Sequence, residues 1–69
     1  MKRTDSAASK LAHYRLQCGL TQKQLAEKSG VNVRQIQRVE LGEAEAGNLT
    51  AKNLLAIADA LEVDPRALL

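Results

Sequence analysis

The chain has 69 residues, a formal net charge of +2 and a hydrophobic content of 45%, with Tyr14 as its one aromatic residue. This length suits one small domain, and apolar residues that are mostly Leu, Ala, Val and Ile favour packed helices over a β-sandwich or barrel. The scarcity of aromatic side chains also argues against a single-stranded nucleic-acid binder, which stacks bases on them. We therefore expect one all-α domain over residues 1–69.

Cysteine content and hydropathy exclude further classes. Cys18 is the only cysteine and His13 the only histidine, so neither an internal disulfide nor a usual structural zinc site is expected. No apolar run approaches the roughly 20 residues of a membrane-spanning helix, and the basic N-terminus lacks the apolar stretch of a signal peptide. We expect a cytoplasmic protein with no metal, no cofactor and no membrane partner.

Charge is distributed unevenly along the chain. Residues 1–41 carry eight basic and three acidic side chains, a net +5, whereas residues 42–69 carry two basic and five acidic side chains, a net −3. A domain with one face for a polyanion would show such an asymmetry. Ordinary variation among a small number of surface charges is the alternative interpretation.

Helix boundary signals predict five helices. The first has the least defined start, near Asp5 or Ser6, and ends by Cys18, which leaves residues 1–4 as a loose basic arm. The other four are predicted at residues 22–29, 33–41, 51–61 and 65–69. Each of these follows a residue suited to cap a helix N-terminus: Thr21, Asn32, Thr50 and Asp64. Glycines suited to close helices lie at Gly19, Gly30 and Gly42.

Two of the caps have the form of a capping box, in which cap and third helical residue satisfy each other's backbone N–H groups. Thr21 with Gln24 is the first, and Asn32 with Gln35 is the second. Helical spacing then assigns a core. Its predicted members are Leu11, Tyr14, Leu25, Ala26, Ile36, Val39, Leu54, Ile57, Ala58, Leu61, Val63 and Leu68.

The second and third predicted helices have the spacing of a helix-turn-helix. Ala26 is small where the two helices would cross, and Gly30 falls in the turn, where the chain bends sharply. Val31, Ile36 and Val39 would fasten the second of these helices to the core. A plain αα-hairpin used only for packing is the alternative.

The outward face of the third predicted helix separates these alternatives. At about 100° per residue, the positions away from the core are Val33, Arg34, Gln37, Arg38 and Leu41. The two arginines are i,i+4 neighbours, and like charges at that spacing repel. Phosphates or the O6 and N7 atoms of guanine would make the pair favourable, because arginine binds them bidentately. This face therefore predicts contact with the DNA major groove, with Val33 against a thymine methyl group; a solvated basic face is the alternative.

The N-terminus of the second predicted helix is a candidate phosphate anchor. Free backbone N–H groups and the positive end of the helix dipole meet there. Thr21, Gln22 and Lys23 lie at this end with side chains suited to hold phosphates. Such contacts position a protein on DNA without reading its sequence.

Three stretches carry a family resemblance: Leu20-Thr-Gln-x-x-Leu-Ala-x-x-Ser-Gly-Val-Asn, Ile36-x-Arg-Val-Glu-x-Gly and Leu54-Leu-Ala-Ile-Ala-Asp-Ala-Leu-Glu-Val-Asp-Pro. Together they resemble the Cro/C1-type (Xre) helix-turn-helix family of phage repressors and bacterial regulators over about residues 10–69. The resemblance implies a compact five-helix, lambda-repressor-like domain whose second and third helices form the helix-turn-helix. It also implies a third helix in the major groove, commonly in a dimer on a palindromic operator.

The resemblance extends to single positions. Gln22 matches the family's phosphate clamp, and Arg15 with Glu40 matches an internal ion pair. The positions that match the DNA-facing residues of the family are Asn32, Val33, Arg34, Gln37 and Arg38. Two independent surface charges at Arg15 and Glu40 are the alternative to the pair. A homodimer would use helix 5 or its flanks.

The predicted function is sequence-specific binding of double-stranded DNA in transcription regulation, by repression rather than activation. We expect no enzymatic activity, because Ser6, Ser9, His13 and Cys18 do not assemble a nucleophile with its base and orienting group. The rival is a protein-interaction module of the same fold, an antitoxin or adaptor for which DNA binding is secondary.

Overall fold

The computed structural model describes residues 10–69, which form four α-helices and two short 3₁₀ segments. The helices are α1 (Lys10–Gln17), α2 (Gln22–Ser29), α3 (Val33–Glu40) and α4 (Ala51–Leu61), and the 3₁₀ segments are Ala46–Asn48 and Pro65–Leu68. The described part of the chain contains no strand, which confirms the all-helical prediction for those residues. The predicted arm over residues 1–4 and the predicted start of the first helix lie outside the described residues.

The predicted fifth α-helix is wrong, because Pro65–Leu68 is a single 3₁₀ turn. Its backbone bond from Ala67 N to Asp64 O, at 2.8 Å, joins residues three apart, and so short a segment cannot build a run of i to i−4 bonds. Asp64 still caps the turn by accepting from Arg66 N at 2.9 Å. Hydrogen bonds from the Arg66 side chain and backbone lower the pKa of the exposed Asp64 carboxyl. The turn buries Leu68 in the core.

Local capping chemistry fixes the starts of α2 and α4. Thr21 Oγ1 accepts from Gln24 N at 3.0 Å, and Gln24 Oε1 accepts from Thr21 N at 2.8 Å, which completes the predicted capping box. Thr50 Oγ1 accepts from Asn53 N at 3.1 Å in the same way. Each bond satisfies a backbone N–H group that the first turn of a helix leaves without a partner.

The predicted capping box at Asn32 forms only in half. Asn32 Oδ1 accepts from Arg34 N at 2.8 Å, so the cap itself is present. The side chain of Gln35 does not return to the Asn32 backbone but accepts a hydrogen bond from Asn53 Nδ2 at 2.8 Å. A partner on another helix has therefore replaced the local one.

Residues whose backbone has the left-handed conformation follow the α-helices. The prediction of closing glycines is confirmed, since Gly19, Gly30 and Gly42 all have positive φ. Gly30, at φ 76°, donates its N–H to Ala26 O at 2.8 Å and makes the sharp bend after α2. The residue with positive φ after α4 is not a glycine. Glu62 has φ 60° and ψ 41°, a backbone conformation that residues with a Cβ atom rarely adopt.

The helices enclose one apolar core. Its buried members are Leu11, Leu25, Val31, Ile36, Val39, Ala46, Ile57, Ala58, Ala60, Leu61 and Leu68. The predicted core is confirmed, with Tyr14, Ala26, Leu54 and Val63 at its partly buried edge. Ala46 and Ala60 are buried without having been predicted. α2 packs against α4 and α3, α1 packs against α3, and Pro65–Leu68 packs against α4 and α1. No helix of the described residues is long and apolar enough to cross a membrane.

An ion pair joins α1 to α3 at the edge of this core. Arg15 Nε donates to Glu40 Oε2 at 2.7 Å and Nη2 donates to Oε1 at 3.0 Å, a bidentate arrangement. The side chains of Arg15 and Glu40 are only 12% and 7% exposed. Arg15 Nη1 also donates to Leu20 O at 2.7 Å, and Gln22 Nε2 donates to Glu40 Oε1 at 2.8 Å. The pair therefore fixes α1, the loop before α2, α2 itself and α3 together.

We expect Glu40→Ala to lower the free energy of unfolding by about 3 kcal/mol, because it leaves the Arg15 guanidinium nearly buried without its partner. Urea denaturation followed by circular dichroism would measure the change. Arg66→Ala is the control, since it removes an arginine whose ion pair with Asp64 lies on the surface. Equal stability of the Glu40→Ala and Arg66→Ala variants would contradict a structural role for the inner pair.

The conformation of Glu62 predicts a stabilising substitution. Glu62→Gly should raise the free energy of unfolding by up to about 1 kcal/mol, because glycine adopts positive φ without strain. Asp59→Gly removes the same charge from within α4 and should lower it by about 1 kcal/mol. Thermal unfolding of both variants would test this, and shifts of the same sign would show that the strain at Glu62 has no energetic weight.

Candidate nucleic-acid interface

The start of α2 forms one edge of the candidate interface. The capping box at Thr21 holds the first turn in place. Lys23 is exposed directly after it, whereas Gln22 is partly buried. The first turn of the helix itself contains no acidic residue. A phosphate at this position would meet the lysine charge together with the positive end of the helix dipole.

Gln22 has a second role that its position in the sequence did not predict. Its amide nitrogen donates to Glu40 Oε1 and so completes the shell of donors around the Glu40 carboxylate. A glutamine amide has two N–H donors, and one of them remains for a phosphate oxygen. The bond to Glu40 would orient the amide for that contact. Phosphate binding by Gln22 stays a prediction.

The turn between α2 and α3 is held by short-range bonds and by one buried side chain. Gly30 closes α2, and Val31 N donates to Ser29 Oγ at 3.2 Å. Val31 is only 4% exposed and anchors the turn in the core. Asn32 then caps α3 while remaining exposed. The chain therefore enters α3 at an angle set by packing and capping together.

α3 divides sharply into an inner and an outer side. Ile36 and Val39 are buried on the inner side. Arg34, Gln37 and Arg38 are exposed. This is the division predicted from helical spacing, and it gives the three side chains freedom to reach an external partner. Val33 differs from them because it is partly buried, which leaves less of its apolar surface for a thymine methyl group.

The exposed basic groups of this surface have no acidic partner in the described part of the chain. The ion pairs within residues 10–69 are Arg15–Glu40 and Arg66–Asp64, so no carboxylate lies within 4.0 Å of Lys23, Arg34 or Arg38. Arg34 and Arg38 are one helical turn apart and repel each other. An anion between or beside them would relieve that repulsion.

A groove of about 290 Å³ lies between α3 and the segment that leads into α4. Its walls are Gln35, Arg38, Val39, Glu43, Ala44, Glu45, Asn48, Leu49 and Thr50. The loop that follows α3 is fastened there because Glu43 N and Ala44 N donate to Arg38 O at 2.9 Å and 3.2 Å. Two acidic residues, Glu43 and Glu45, thus line the same groove as Arg38. The loop of residues 43–49 thus forms one wall of the groove, and its Ala46 is buried in the core.

Sequence reasoning missed the bond between Gln35 and Asn53 at this groove. Both residues occupy the third position of their helices, where a side-chain amide is expected to serve its own cap. The side chain of Asn53 in α4 reaches Gln35 in α3 because packing brings the two helices close together. The sequence shows an amide side chain at the third position of both helices, but no local pattern indicates that the two amides lie close together.

The residues considered for catalysis do not assemble a site in the described part of the chain. Cys18 Sγ donates to Leu61 O at 3.6 Å, and the His13 ring meets the Tyr14 ring edge-on at 5.1 Å between centroids. Within residues 10–69 no group of three or more His, Cys, Asp or Glu side chains could hold a metal ion. Ser6 and Ser9 lie outside the described residues.

Comparison with known proteins places this geometry in a family. The model of a helix-turn-helix family matches residues 11–68. The crystal structure of the restriction-modification controller protein C.AhdI from Aeromonas hydrophila is similar to this chain, with 32% sequence identity, a TM-score of 0.78 and coverage of 94% of each chain. No curated protein sequence gives a significant match. The chain belongs to the Cro/C1-type (Xre) helix-turn-helix family of DNA-binding transcription regulators.

Proposed function

We propose that this protein binds a specific sequence of double-stranded DNA with α3 in the major groove and thereby regulates transcription. The observation that carries the proposal is the outer side of α3, where Arg34, Gln37 and Arg38 are exposed and no carboxylate of the described residues lies within 4.0 Å of either arginine. An α-helix fits the major groove, whose base edges these side chains can read. The similarity to a controller protein supports regulation as the purpose of binding.

The proposed contacts divide into two kinds. Arg34, Gln37 and Arg38 would form hydrogen bonds with base edges, and Val33 would contribute a small apolar contact. A second set would hold the phosphate backbone: Thr21, Gln22, Lys23 and Asn32. Because the backbone set belongs to the start of α2 and the turn, it would fix the depth and the angle at which α3 enters the groove.

A homodimer on a palindromic operator is the proposed assembly. Two half-sites one helical turn apart would double the contacts and match the two-fold symmetry of a dimer. Leu69, directly after the 3₁₀ turn Pro65–Leu68, is 57% exposed and offers apolar surface at that flank. This is the flank that we propose for the dimer contact.

The rival function, a protein-interaction module, draws on the other exposed leucines. Leu16, Leu41 and Leu55 are 64%, 71% and 51% exposed, and apolar side chains of that size suit a protein partner. The repelling arginine pair on α3 favours DNA instead. The two functions differ in their response to salt, because an apolar interface depends little on ionic strength.

Selection of bound duplexes from a random DNA pool tests the proposed function directly. We expect one enriched motif with inverted half-sites, and an affinity that falls about a thousandfold between about 50 mM and 200 mM salt, as for roughly six phosphate contacts. A single enriched half-site would contradict the dimer. Absence of any enriched motif would contradict sequence-specific binding and favour the rival.

Arg34→Ala should remove about 1–3 kcal/mol of discrimination at one base pair, because a bidentate contact to a base edge is lost. Binding of the full chain to the selected site and to single-base variants of that site would measure this. Lys23→Ala is the matched control, since it removes one positive charge from the proposed phosphate set. It should weaken binding to all duplexes alike.

The two variants give a clear test of the assigned reading face. If Arg34→Ala lowered the affinity for every duplex by one common factor, as expected for Lys23→Ala, Arg34 would be a phosphate contact. Arg34 would then have no role in reading bases.

Repression is the proposed direction of regulation, because a bound domain needs only to occupy a promoter in order to block it. A reporter promoter that overlaps the selected site should be expressed less when the protein is present, and Arg34→Ala should restore expression. Increased expression in this arrangement would instead indicate activation.

A further inference from the structure

The position of α3 is set by polar contacts at two places along its length. At its end, Glu40 bonds to Arg15 of α1 and to Gln22 of α2. In its first half, Gln35 Oε1 accepts from Asn53 Nδ2 of α4 at 2.8 Å. The first place contains an ion pair that is nearly buried, whereas the second is a neutral bond between partly exposed amides.

The bond between Gln35 and Asn53 crosses a region where packing is weak. α3 packs mainly against α2 and α1, and the groove of about 290 Å³ lies between α3 and the segment that leads into α4. Gln35 and Thr50, the cap of α4, both line that groove. Among the described residues, this is the side-chain hydrogen bond that joins α3 to α4 across it.

The donor end of this bond lies on a capped helix turn. Asn53 lies in the first turn of α4, where its backbone N–H is held by Thr50 Oγ1 at 3.1 Å. This bond fixes the backbone that carries the donating side-chain amide. On the other side, Gln35 stands directly after Arg34 and one turn before Arg38, so a rotation of α3 at Gln35 moves both arginines.

We propose that Asn53 is a positioning residue for DNA recognition, which holds α3 through Gln35 at the rotation that Arg34 and Arg38 need to read bases. This inference rests on the proposed function. Bidentate contacts to a base edge require both distance and direction to be correct, whereas a phosphate contact tolerates a rotated side chain. Loss of the bond should therefore reduce discrimination more than it reduces binding to unselected DNA.

The effect on folding should be small. A hydrogen bond between amides that water can reach contributes little net stability, because water replaces the lost partner. Asn53→Ala leaves the backbone N–H bond to Thr50 in place, since that bond does not use the side chain. Positioning and folding can therefore be measured separately.

The test uses the full chain and two duplexes, the site selected by the native protein and a scrambled duplex of equal length. Asn53→Ala should lower the ratio of the two affinities about threefold, because one water-accessible hydrogen bond can bias the orientation of α3 by no more than its small net free energy. Asn48→Ala is the matched control, because Asn48 lines the same groove without bonding to α3. It should leave the ratio unchanged.

A conservative variant provides the rescue. In Asn53→Asp, the amide of Gln35 can turn and donate to the new carboxylate, so the link between α3 and α4 is kept. The added negative charge should weaken binding to both duplexes, while their ratio stays near the native value. Combining it with Gln35→Glu places two carboxylates face to face, and the ratio should fall again.

The outcomes are distinguishable. A selected motif for the native chain, with an equal affinity ratio for Asn53→Ala, would overturn the positioning role and leave the proposed function standing. The positioning role would also be overturned if the ratio fell and circular dichroism showed that Asn53→Ala is unfolded. An equal fall of the ratio in Asn53→Asp would overturn it as well. Failure of the native chain to select any motif would overturn both proposals together.

Discussion

The contact between Arg15 and Glu40 is the constraint on which the candidate interface depends. α3 has eight residues, about 12 Å of helix, and such a helix is not stable without tertiary contacts. Its two buried anchors, Ile36 and Val39, hold it to the core but constrain its rotation weakly, because apolar contact is not directional. The bidentate pair and the bond from Gln22 are directional. These directional contacts therefore give α3 a defined orientation on the core.

The same contact separates charge within α3. Glu40 is the acid of that helix, and its carboxylate accepts three hydrogen bonds from α1 and α2 on the inner side. It is therefore not available to neutralise Arg34 and Arg38 on the outer side. One ion pair thus both builds the fold and preserves the positive face that we propose for DNA. The acids of the following loop, Glu43 and Glu45, line a groove beside that face and limit the basic surface to the side of α2 and α3.

Much of the fold and part of the candidate site were predictable, for reasons that particular residues show. The Thr21 box, the closing Gly30 and the inner position of Ile36 depend on residues within about one helical turn, so the sequence contains the whole signal. The exposure of Arg34 and Arg38 follows from the same periodicity. Their proposed roles in reading bases require a DNA partner and remain predictions. Val33 shows the limit, since it is partly buried although helical spacing predicted an outward position.

By itself, the sequence determined the starts of α2, α3 and α4, most of the core and the two-sided character of α3, because capping and periodicity act over a few residues. Only the tertiary structure decided that Gln35 bonds to Asn53 across 18 positions rather than to its own cap. It also decided that Pro65–Leu68 is a 3₁₀ turn and that Glu62 adopts positive φ. For Gln35, the contact with a distant helix outweighed a local capping preference of about 1 kcal/mol or less, which a tertiary contact readily exceeds.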